Sequence, residues 1–263
     1  MSSTMLVSAA VSHVGYVRNR NEDNYFLNGK IRNPENAVDS GTNATKVCGL
    51  YAVCDGMGGG AYGEIASGIA VSVLRDVFTS DDYLDLTIAE LFREYVMNSN
   101  NRICAEMIGR STRKMGTTFV AACIVENTVD ICNVGDSRAY LFSGGKLTQI
   151  SKDHTGVSGM VDMGILSPEK AKVHVHRNTL TQHLGIFSDD MELDPYIVPA
   201  FRIKDGDYIL LCSDGLTDML DDFEIEYIMN KNSIMKDITE ELVKVALQKG
   251  GKDNVTVLAI SKQ

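Results

Sequence analysis

Two long segments of the chain repeat apolar side chains at helical spacing. In the segment 64–78, Ile65, Ile69, Val73 and Val77 recur every four residues, which predicts one buried helix face. A second long amphipathic helix is predicted over 85–108, and its plausible core positions are Leu86, Leu91, Val96, Ile103 and Met107. Shorter helices are predicted at 224–229 and 235–248, and Ser167-Pro168-Glu169 is typical of a helix start.

Most other apolar residues fall into short runs that are typical of strands. The predicted strands are Met5–Val14, Tyr25–Leu27, Val47–Cys54, Thr117–Val125, Val129–Val134, Ala139–Ser143, Lys146–Ile150, Ile197–Ile203, Asp207–Cys212 and Asn254–Ile260. Ser143-Gly144-Gly145-Lys146 predicts a hairpin turn. Residues 32–46 are polar and contain Pro and Gly, so they are predicted to form a loop.

The order of these elements is not the regular strand–helix alternation of a parallel sheet. It indicates an α+β fold with antiparallel sheets and helices packed outside them. The 263 residues contain no repeat, linker or low-complexity segment, so a single domain over 1–263 is predicted. At this length roughly three quarters of the chain's surface can be buried on folding, and no disulfide is needed.

The composition narrows the function classes. The net charge is −10, which argues against a nucleic-acid or anionic-membrane binder because phosphate contacts need a basic face. The six cysteines have no Cys-x-x-Cys pair and are interpreted as small buried hydrophobes in a reducing compartment. The N-terminus lacks the features of a signal peptide, and no apolar stretch approaches the ~20 residues of a membrane helix. We expect a cytoplasmic protein.

Four aspartates lie at the edges of predicted strands: Asp55, Asp136, Asp214 and Asp253. We expect no cationic side chain to neutralise them. Carboxylates gathered at strand ends repel one another unless a cation lies among them. Hard, oxygen-liganded divalent metals are the simplest interpretation, and they indicate metal-assisted chemistry, with a phosphate as the expected substrate group.

Each aspartate alone also has an ordinary explanation. Asp55-Gly56 is typical of a simple strand-to-turn junction, although a glycine there would let the backbone approach a ligand, so that its carbonyl could bind metal. Asp214-Gly215 repeats the arrangement, and Asp136 and Asp253 could each be turn residues that accept a hydrogen bond from their own backbone. The metal hypothesis depends on the four together.

Other ligand patterns fit less well. The spacing of the acidic residues after Asp214 does not match a calcium loop, and the glycine-rich turn after Asp55 is not a P-loop. His174 and His176 could share one face of a strand, but no third His or Cys stands at zinc spacing. The charged segment 18–24 is either a solvated loop or a site where one arginine holds a phosphate while Glu22 and Asp23 support metal-bound waters.

Eight ordered motifs resemble those of the type 2C metal-dependent protein serine/threonine phosphatases in their compact bacterial form. The resemblance runs from about residue 10 to the last predicted strand. The motifs are Val17–Asn24, Asp55–Gly59 with Gly63–Ser67, Met115–Thr118, Asn133–Tyr140, Lys152–Thr155, Leu180-Thr181 with Leu184-Gly185, Cys212–Leu216 and Asp253–Thr256.

The resemblance implies a four-layer α-β-β-α sandwich in which two antiparallel sheets are flanked by helices. It implies Mn²⁺ or Mg²⁺ at one end between the sheets, two ions in a core site and a third beside them. Asp55 would bridge two metals, Gly56 would add its carbonyl, and Asp214 and Asp253 would complete the core site. Asp136 with Asp214 matches the third-metal site of bacterial members.

The resemblance also assigns roles outside the metal ligands. Arg18 matches the arginine that grips the substrate phosphate, and Glu22 and Asp23 match acidic positions near the metals. A mobile flap that influences substrate choice corresponds to about 156–180. The implied mechanism is direct attack by a metal-activated water without a phospho-enzyme, so Cys54 and Cys212 are interpreted as packing residues.

The chain departs from the family pattern after Asp55-Gly56. Met57 stands where eukaryotic members often carry the histidine proposed as the acid for the leaving group, and Gly60 stands where many bacterial members carry His. The proton donor is therefore open: His154 is a candidate, a structural role for His154 is the alternative, and a metal-bound water could serve instead.

The resulting hypothesis is a monomeric cytoplasmic phosphatase that hydrolyses phosphoserine and phosphothreonine in proteins and opposes a Ser/Thr kinase. One rival is a catalytically inactive binding or sensor domain on the same fold, against which the complete set of carboxylates argues. Another is a phosphoesterase acting on small molecules or nucleic acid. Mn²⁺-dependent phosphate release from a phosphopeptide, compared with nucleotides, separates the three.

Overall fold

The computed structural model describes residues 5–46, 48–58, 62–80 and 85–263. In chain order its elements are β1 (Leu6–His13), β2 (Asn24–Leu27), β3 (Lys30–Ile31), β4 (Val38–Thr45), β5 (Cys48–Cys54), β6 (Gly56–Met57), α1 (Tyr62–Thr79), α2 (Ile88–Gly109), β7 (Gly116–Thr117), β8 (Phe119–Val125), β9 (Thr128–Val134), β10 (Arg138–Ser143), β11 (Lys146–Gln149), α3 (Gly156–Asp162), α4 (Pro168–Lys172), β12 (Tyr196–Arg202), β13 (Tyr208–Cys212), α5 (Asp214–Thr217), α6 (Asp222–Lys231), α7 (Met235–Gln248) and β14 (Val255–Lys262). Val47, Gly59 and Gly60, which the sequence analysis assigned to a strand and a turn, lie outside the described residues.

Two six-stranded antiparallel sheets form the centre of the fold. The first sheet has the order β11-β10-β13-β14-β1-β4, and the second has the order β12-β9-β8-β5-β2-β3. Tyr51, Val53, Leu211 and Leu258 belong to the apolar layer between the sheets, because alternate residues of each strand point inward. The predicted α+β sandwich of two antiparallel sheets is confirmed.

Helices cover both outer faces, which completes the four layers. Helices α1 and α2 pack on the second sheet, and Val73, Val77 and Ile103 are buried there. Helices α5, α6 and α7 cover the first sheet. No helix in the described part of the chain is long and apolar enough to cross a membrane.

The helix pattern of the sequence corresponds to the structure with small shifts at the ends. Helix α2 begins at Ile88 rather than 85, because Thr87 caps it. The Thr87 side chain accepts a hydrogen bond from the Glu90 amide, and the Glu90 side chain accepts one from the Thr87 amide. Ser167 caps α4 with Pro168 in its first turn, as predicted. The short helix α5 was not predicted.

The prediction of a loop over 32–46 was wrong, because β4 occupies much of that segment. β4 pairs with β1 along its whole length at the edge of the first sheet, and its side chains alternate between exposed and half-buried. Backbone hydrogen bonds to β1 stabilise this polar strand without an apolar face, so hydrophobic periodicity carries no sign of it. The predicted strand over 117–125 is also divided, since Gly116 and Thr117 pair with β6 in a separate two-stranded ribbon.

Candidate metal centre

Four strand ends deliver the four aspartates to one end of the sandwich. Asp55 directly follows β5, Asp136 follows β9 by two residues, Asp214 follows β13 by two residues, and Asp253 precedes β14 by two residues. β5 and β9 belong to the second sheet and β13 and β14 to the first, so the aspartates come from both sheets. The structure thus gathers carboxylates that are up to 198 positions apart in the sequence (Asp55 to Asp253).

The backbone of Asp55 is held by two threonines that follow α2. The Asp55 amide donates to Thr118 Oγ1 at 2.9 Å, and the Asp55 carbonyl accepts from the Thr118 amide at 2.8 Å and from Thr117 Oγ1 at 2.9 Å. Thr118 Oγ1 also lies 2.6 Å from Ser137 Oγ, next to Asp136. The motif Met115–Thr118 of the sequence analysis therefore supports the backbone of Asp55.

Gly56 is required by the close packing of protein backbone. A Cβ at this position would lie 2.5 Å from the carbonyl oxygen of Glu22 and would overlap the backbone of Gly63. Gly215 is constrained in the same way, because a Cβ there would overlap the Asn254 carbonyl. The glycines of both Asp-Gly pairs therefore let neighbouring loops approach the aspartates closely.

The carboxylates of the site raise one another's pKa. Burial, followed by the charges of Asp23, Asp214, Asp136 and Asp253, raises the pKa of Asp55 well above its usual range. Burial and the charges of Asp214 and Asp153 do the same for Asp136.

Asp214 and Asp23 show the same effect to a smaller extent. Burial and the charge of Asp253 raise the pKa of Asp214 to about 6, although its carboxyl group is within hydrogen-bonding reach of Asp55, which lowers it. Burial raises the pKa of Asp23 to about 7, against the lowering effect of hydrogen bonds from Thr256 and Ser213. Raised values of this kind are typical of carboxylates that share one site.

Several carboxylate oxygens at the site are buried without a hydrogen-bond partner. They are Glu22 Oε1, Asp23 Oδ1 and Asp214 Oδ1. A buried carboxylate oxygen with no donor costs free energy unless a cation or another donor reaches it. In the described ranges no group of three or more His, Cys, Asp or Glu side chains is already arranged around a common point.

Two findings change the expectations for individual residues. Arg18 Nη2 lies 2.7 Å from Asp253 Oδ2, so the expectation that no cation neutralises the aspartates was wrong for Asp253. Asp23 is fully buried and its Oδ2 accepts from Ser213 Oγ at 2.8 Å and Thr256 Oγ1 at 2.7 Å. Glu22 is only partly buried, and its pKa is raised mainly by that burial.

Sequence reasoning included Asn254 and Arg138 in its motifs but gave no role to either, although both side chains shape the site. Asn254 binds the charged loop at both ends: its Oδ1 accepts from the Glu22 amide at 2.7 Å, and its Nδ2 donates to the carbonyls of Val14 and Arg20. Arg138 forms a two-pronged ion pair with Asp153 beside Asp136, with the shortest distance 2.7 Å. Asn254 stands next to Asp253, which is the signal that could have found it.

His154 is engaged with the backbone. The Gly135 amide donates to His154 Nδ1 at 3.2 Å, and the His154 amide donates to the Gly135 carbonyl at 2.9 Å. Burial lowers the pKa of the ring. These contacts favour the structural interpretation of His154 over the proton donor.

A cleft of about 770 Å³ extends from Asp136 and Asp214. The segment 156–180, which contains α3 and α4, forms one wall, and the region from α5 to the start of α6 forms the other. Hydrogen bonds between Gly156 and Thr179 and between Thr181 and His154 close the base of this segment. Next to this base, Arg177 and Asn178 join the segment to Asp218, with distances of 3.3 and 3.0 Å to Asp218 Oδ2.

This fold and site are those of a carboxylate-centred α-β-β-α hydrolase, and comparison with known proteins identifies the family. Residues 35–254 match the family model of protein phosphatase 2C. The chain belongs to the protein phosphatase 2C family.

Known bacterial phosphatases are similar to this chain both in sequence and in structure. The serine/threonine phosphatase Stp of Listeria monocytogenes serotype 4b is 33% identical over 258 residues, covering 94% of this chain and 92% of the relative. The crystal structure of the Mycobacterium tuberculosis phosphatase PstP/Ppp superposes with a TM-score of 0.80 at 33% identity and 98% coverage of both chains. A structure of the PstP catalytic domain in complex with two manganese ions has a TM-score of 0.78 at 32% identity, covering 98% of this chain and 99% of that one.

Proposed function

We propose that this chain hydrolyses phosphoserine and phosphothreonine in proteins at the end of the sandwich where Asp55, Asp136, Asp214 and Asp253 meet. The observation that carries the proposal is this group of carboxylates from both sheets: burial and neighbouring carboxylates raise the pKa of Asp55, Asp136 and Asp214, and Asp214 Oδ1 is buried without a donor. Membership of a family of serine/threonine protein phosphatases supports the reaction. The chain is accordingly a metal-dependent phosphoric monoester hydrolase.

The residues present fit divalent cations. The donor set consists of carboxylate and carbonyl oxygens, which Mn²⁺ and Mg²⁺ prefer. Asp55, the Gly56 carbonyl, Asp214 and Asp253 would hold two ions, as the two manganese ions of the PstP structure suggest. Bound there, the ions would supply an activated water and neutralise charge on the phosphoryl oxygens.

We assign a third, looser ion to Asp136 with Asp214. After burial, the charge of Asp214 is the largest cause of the raised pKa of Asp136, and both carboxylates line the cleft. The nearby guanidinium of Arg138 is paired with Asp153. The charge of Asp153 raises the pKa of Asp136 more than the charge of Arg138 lowers it, so Arg138 does not replace a metal ion at Asp136.

The side chains of the charged loop orient the substrate. Arg18 is more than half exposed and already directed at Asp253, so its guanidinium can also reach a phosphate held over the carboxylates. The unpartnered oxygens of Glu22 and Asp23 are available to accept hydrogen bonds from water at the metals. The cleft beside the flap would receive the polypeptide that carries the phosphate.

The decisive experiment replaces the carboxylates without changing their shape. Asp55→Asn and Asp214→Asn should each abolish Mn²⁺-dependent phosphate release from a phosphothreonine peptide, since the amide cannot supply the negative charge that holds the cation. Asp130→Asn, in the half-buried middle of β9, is the matched control and should keep wild-type activity. Retained activity in either site variant would refute the mechanism, and faster hydrolysis of nucleotides than of the phosphopeptide would refute the substrate class.

The third-metal assignment has its own test. Asp136→Ala should lower turnover about tenfold at limiting Mn²⁺ while two ions still bind with unchanged affinity in calorimetry. Unchanged turnover at limiting metal, or loss of the two tighter ions, would contradict this assignment.

The remaining parts of the proposal concern the cellular setting. We infer that the chain acts as one domain over 1–263 and as a monomer in the cytoplasm, with a flap at about 156–180, and that it opposes a Ser/Thr kinase on shared protein substrates. Mass spectrometry of phosphopeptides with and without the active enzyme would identify those substrates.

A further inference from the structure

Arg32 is a fully buried arginine beside the charged loop 18–24. It directly follows β3 and is 1% exposed. Among the arginines that the structure describes, it is the only one that is fully buried. No carboxylate among the described residues lies within ion-pair distance of its guanidinium, in contrast to Arg18 and Arg138. The charges of Glu64, Asp23 and Asp39 favour the charged form of Arg32 from beyond that distance. A buried cation without a direct ion pair is unusual, so its contacts need an explanation.

The guanidinium of Arg32 donates to backbone carbonyls only. Nε donates to Asp23 O at 2.8 Å and Nη2 donates to Asn21 O at 2.9 Å. Nη1 donates to Asn33 O at 3.2 Å and Asn36 O at 3.3 Å. One rigid planar group therefore connects two separate backbone segments.

The first of these segments has no strand or helix of its own. Residues 18–23 lie between β1 and β2 and carry Arg18 and Glu22, so no ladder of backbone hydrogen bonds sets their conformation. Asn254 holds the loop on one side through Glu22 and Arg20, and Arg32 holds it on the other. Ser67 Oγ also donates to the Glu22 carbonyl at 2.6 Å, and Asn21 Nδ2 donates to Ser12 Oγ at 2.9 Å. Arg32 differs from these contacts because, among the described side chains, it alone binds the carbonyls of both Asn21 and Asp23, on either side of Glu22.

The second segment, residues 33–36, connects the Arg32 guanidinium to the first sheet. Asn33 and Asn36 belong to the turn that leads into β4, and β4 pairs with β1 over eight residues. Tyr25 Oη donates to Asp39 Oδ2 at 2.5 Å, which ties β2 to β4 as well. The carbonyls on this side of Arg32 therefore belong to a well-supported part of the fold.

We propose that Arg32 is a positioning residue for the phosphatase reaction, which holds the backbone of Asn21 and Asp23 so that Arg18 and Glu22 face the carboxylate cluster. The inference rests on the proposed function, because it assigns Arg18 to the substrate phosphate. Arg32 itself touches neither substrate nor metal, and it acts through the loop that it clamps.

Arg32→Lys is the informative variant, because it keeps the charge and removes the planar fork. One ammonium group cannot reach the carbonyls of both segments, so the loop loses its fixed conformation. We expect kcat/KM for a phosphothreonine peptide in Mn²⁺ to fall about tenfold, since small displacements of positioning groups have effects up to roughly a hundredfold. Arg32→Gln serves as a second variant if Arg32→Lys does not fold.

A double-mutant cycle separates positioning from general destabilisation. In an Arg18→Ala background, Arg32→Lys should lower kcat/KM by less than about threefold, because Arg18 is already gone and only the placement of Glu22 remains to be lost. Arg102→Lys on the exposed face of α2 controls for the loss of a guanidinium, and Leu242→Ala in the core under α7 controls for reduced stability. An equal loss in both Arg18 backgrounds, or an equal loss in Leu242→Ala, overturns the proposal.

Amide hydrogen exchange provides a readout without activity. Arg32→Lys should accelerate exchange in residues 18–24 and leave β8 and β9 unchanged, whereas Leu242→Ala should not change the loop selectively. Unaltered exchange in 18–24 overturns the clamp. If the wild-type protein itself released no phosphate, the proposed function would fail, and the exchange result would still decide whether Arg32 holds the loop.

Discussion

At the scale of single residues, the two cysteine thiols near the carboxylates are buried, whereas an exposed thiol lies away from them. Cys54 directly precedes Asp55, and Cys212 lies two residues before Asp214. Both are fully buried, and burial raises the pKa of the Cys212 thiol to about 12. Cys48, at the start of β5, is exposed, and a hydrogen bond from the buried Cys123 lowers the pKa of its thiol to about 7. The expectation of uniformly buried cysteines was therefore wrong for Cys48.

This contrast predicts selective alkylation. One equivalent of iodoacetamide at neutral pH should modify Cys48 first, because the thiolate is the nucleophile, and phosphatase activity should be retained. Peptide mass spectrometry locates the label, and Cys48→Ser should remove the fast phase. Rapid labelling of Cys54 or Cys212, or loss of activity in step with labelling of Cys48, would contradict the assignment of these thiols as bystanders.

At the scale of elements, the segment 156–180, which we propose as a flap, is joined to the carboxylate end of the sandwich by few polar contacts. Arg177 and Asn178 both engage Asp218, which lies at the end of the short helix that begins with Asp214. The position of the flap is thus linked to the element that carries a predicted metal ligand. Exposed ion pairs contribute little, about 0.2–1 kcal/mol, so this link can be broken without loss of the fold.

Replacing Asp218 should release the flap. We expect Asp218→Ala to increase the rate of tryptic cleavage after Arg177 by about twofold to fivefold, the factor that corresponds to the loss of up to about 1 kcal/mol. Asp237→Ala in the first turn of α7 is the matched surface control. A cleavage rate equal to that of the wild type, with the thermal midpoint unchanged, would show that these contacts do not hold the flap.

At the scale of the whole molecule, strands of both sheets place carboxylates at the same end of the sandwich. The pKa of Asp23 is raised to about 7 and that of Asp214 to about 6, above the values of about 4 expected in the unfolded chain. A carboxyl whose pKa is raised on folding stabilises the fold below its unfolded value, and this contribution is lost as the pH rises through the folded value. The metal-free protein should therefore lose stability from these groups as the pH rises from about 4 to about 7.

Metal binding should reverse that loss. At pH 8 and Mn²⁺ at about a hundred times its dissociation constant, the free energy of unfolding should rise by about 2.7 kcal/mol, which corresponds to a thermal midpoint roughly 5–10 °C higher. At pH 5.5 the shift should be smaller, because protons compete with the cation for the carboxylates. Differential scanning fluorimetry with and without EDTA measures both, and the double variant Asp55→Asn, Asp214→Asn should show no shift. An equal shift at both pH values would contradict the linkage.

The sequence by itself determined the helix faces, most strand positions and the four aspartates at strand ends, because burial on one face and breaks at Gly or Pro leave a local pattern. The tertiary structure alone decided that β4 is a strand, that Arg18 pairs with Asp253, and that Arg32 clamps the charged loop. The physical reason is that periodicity reports which face is buried and not what it packs against. Backbone carbonyls and amides, which are the partners of Arg32 and Asn254, are present in nearly every residue and therefore leave no mark in the sequence.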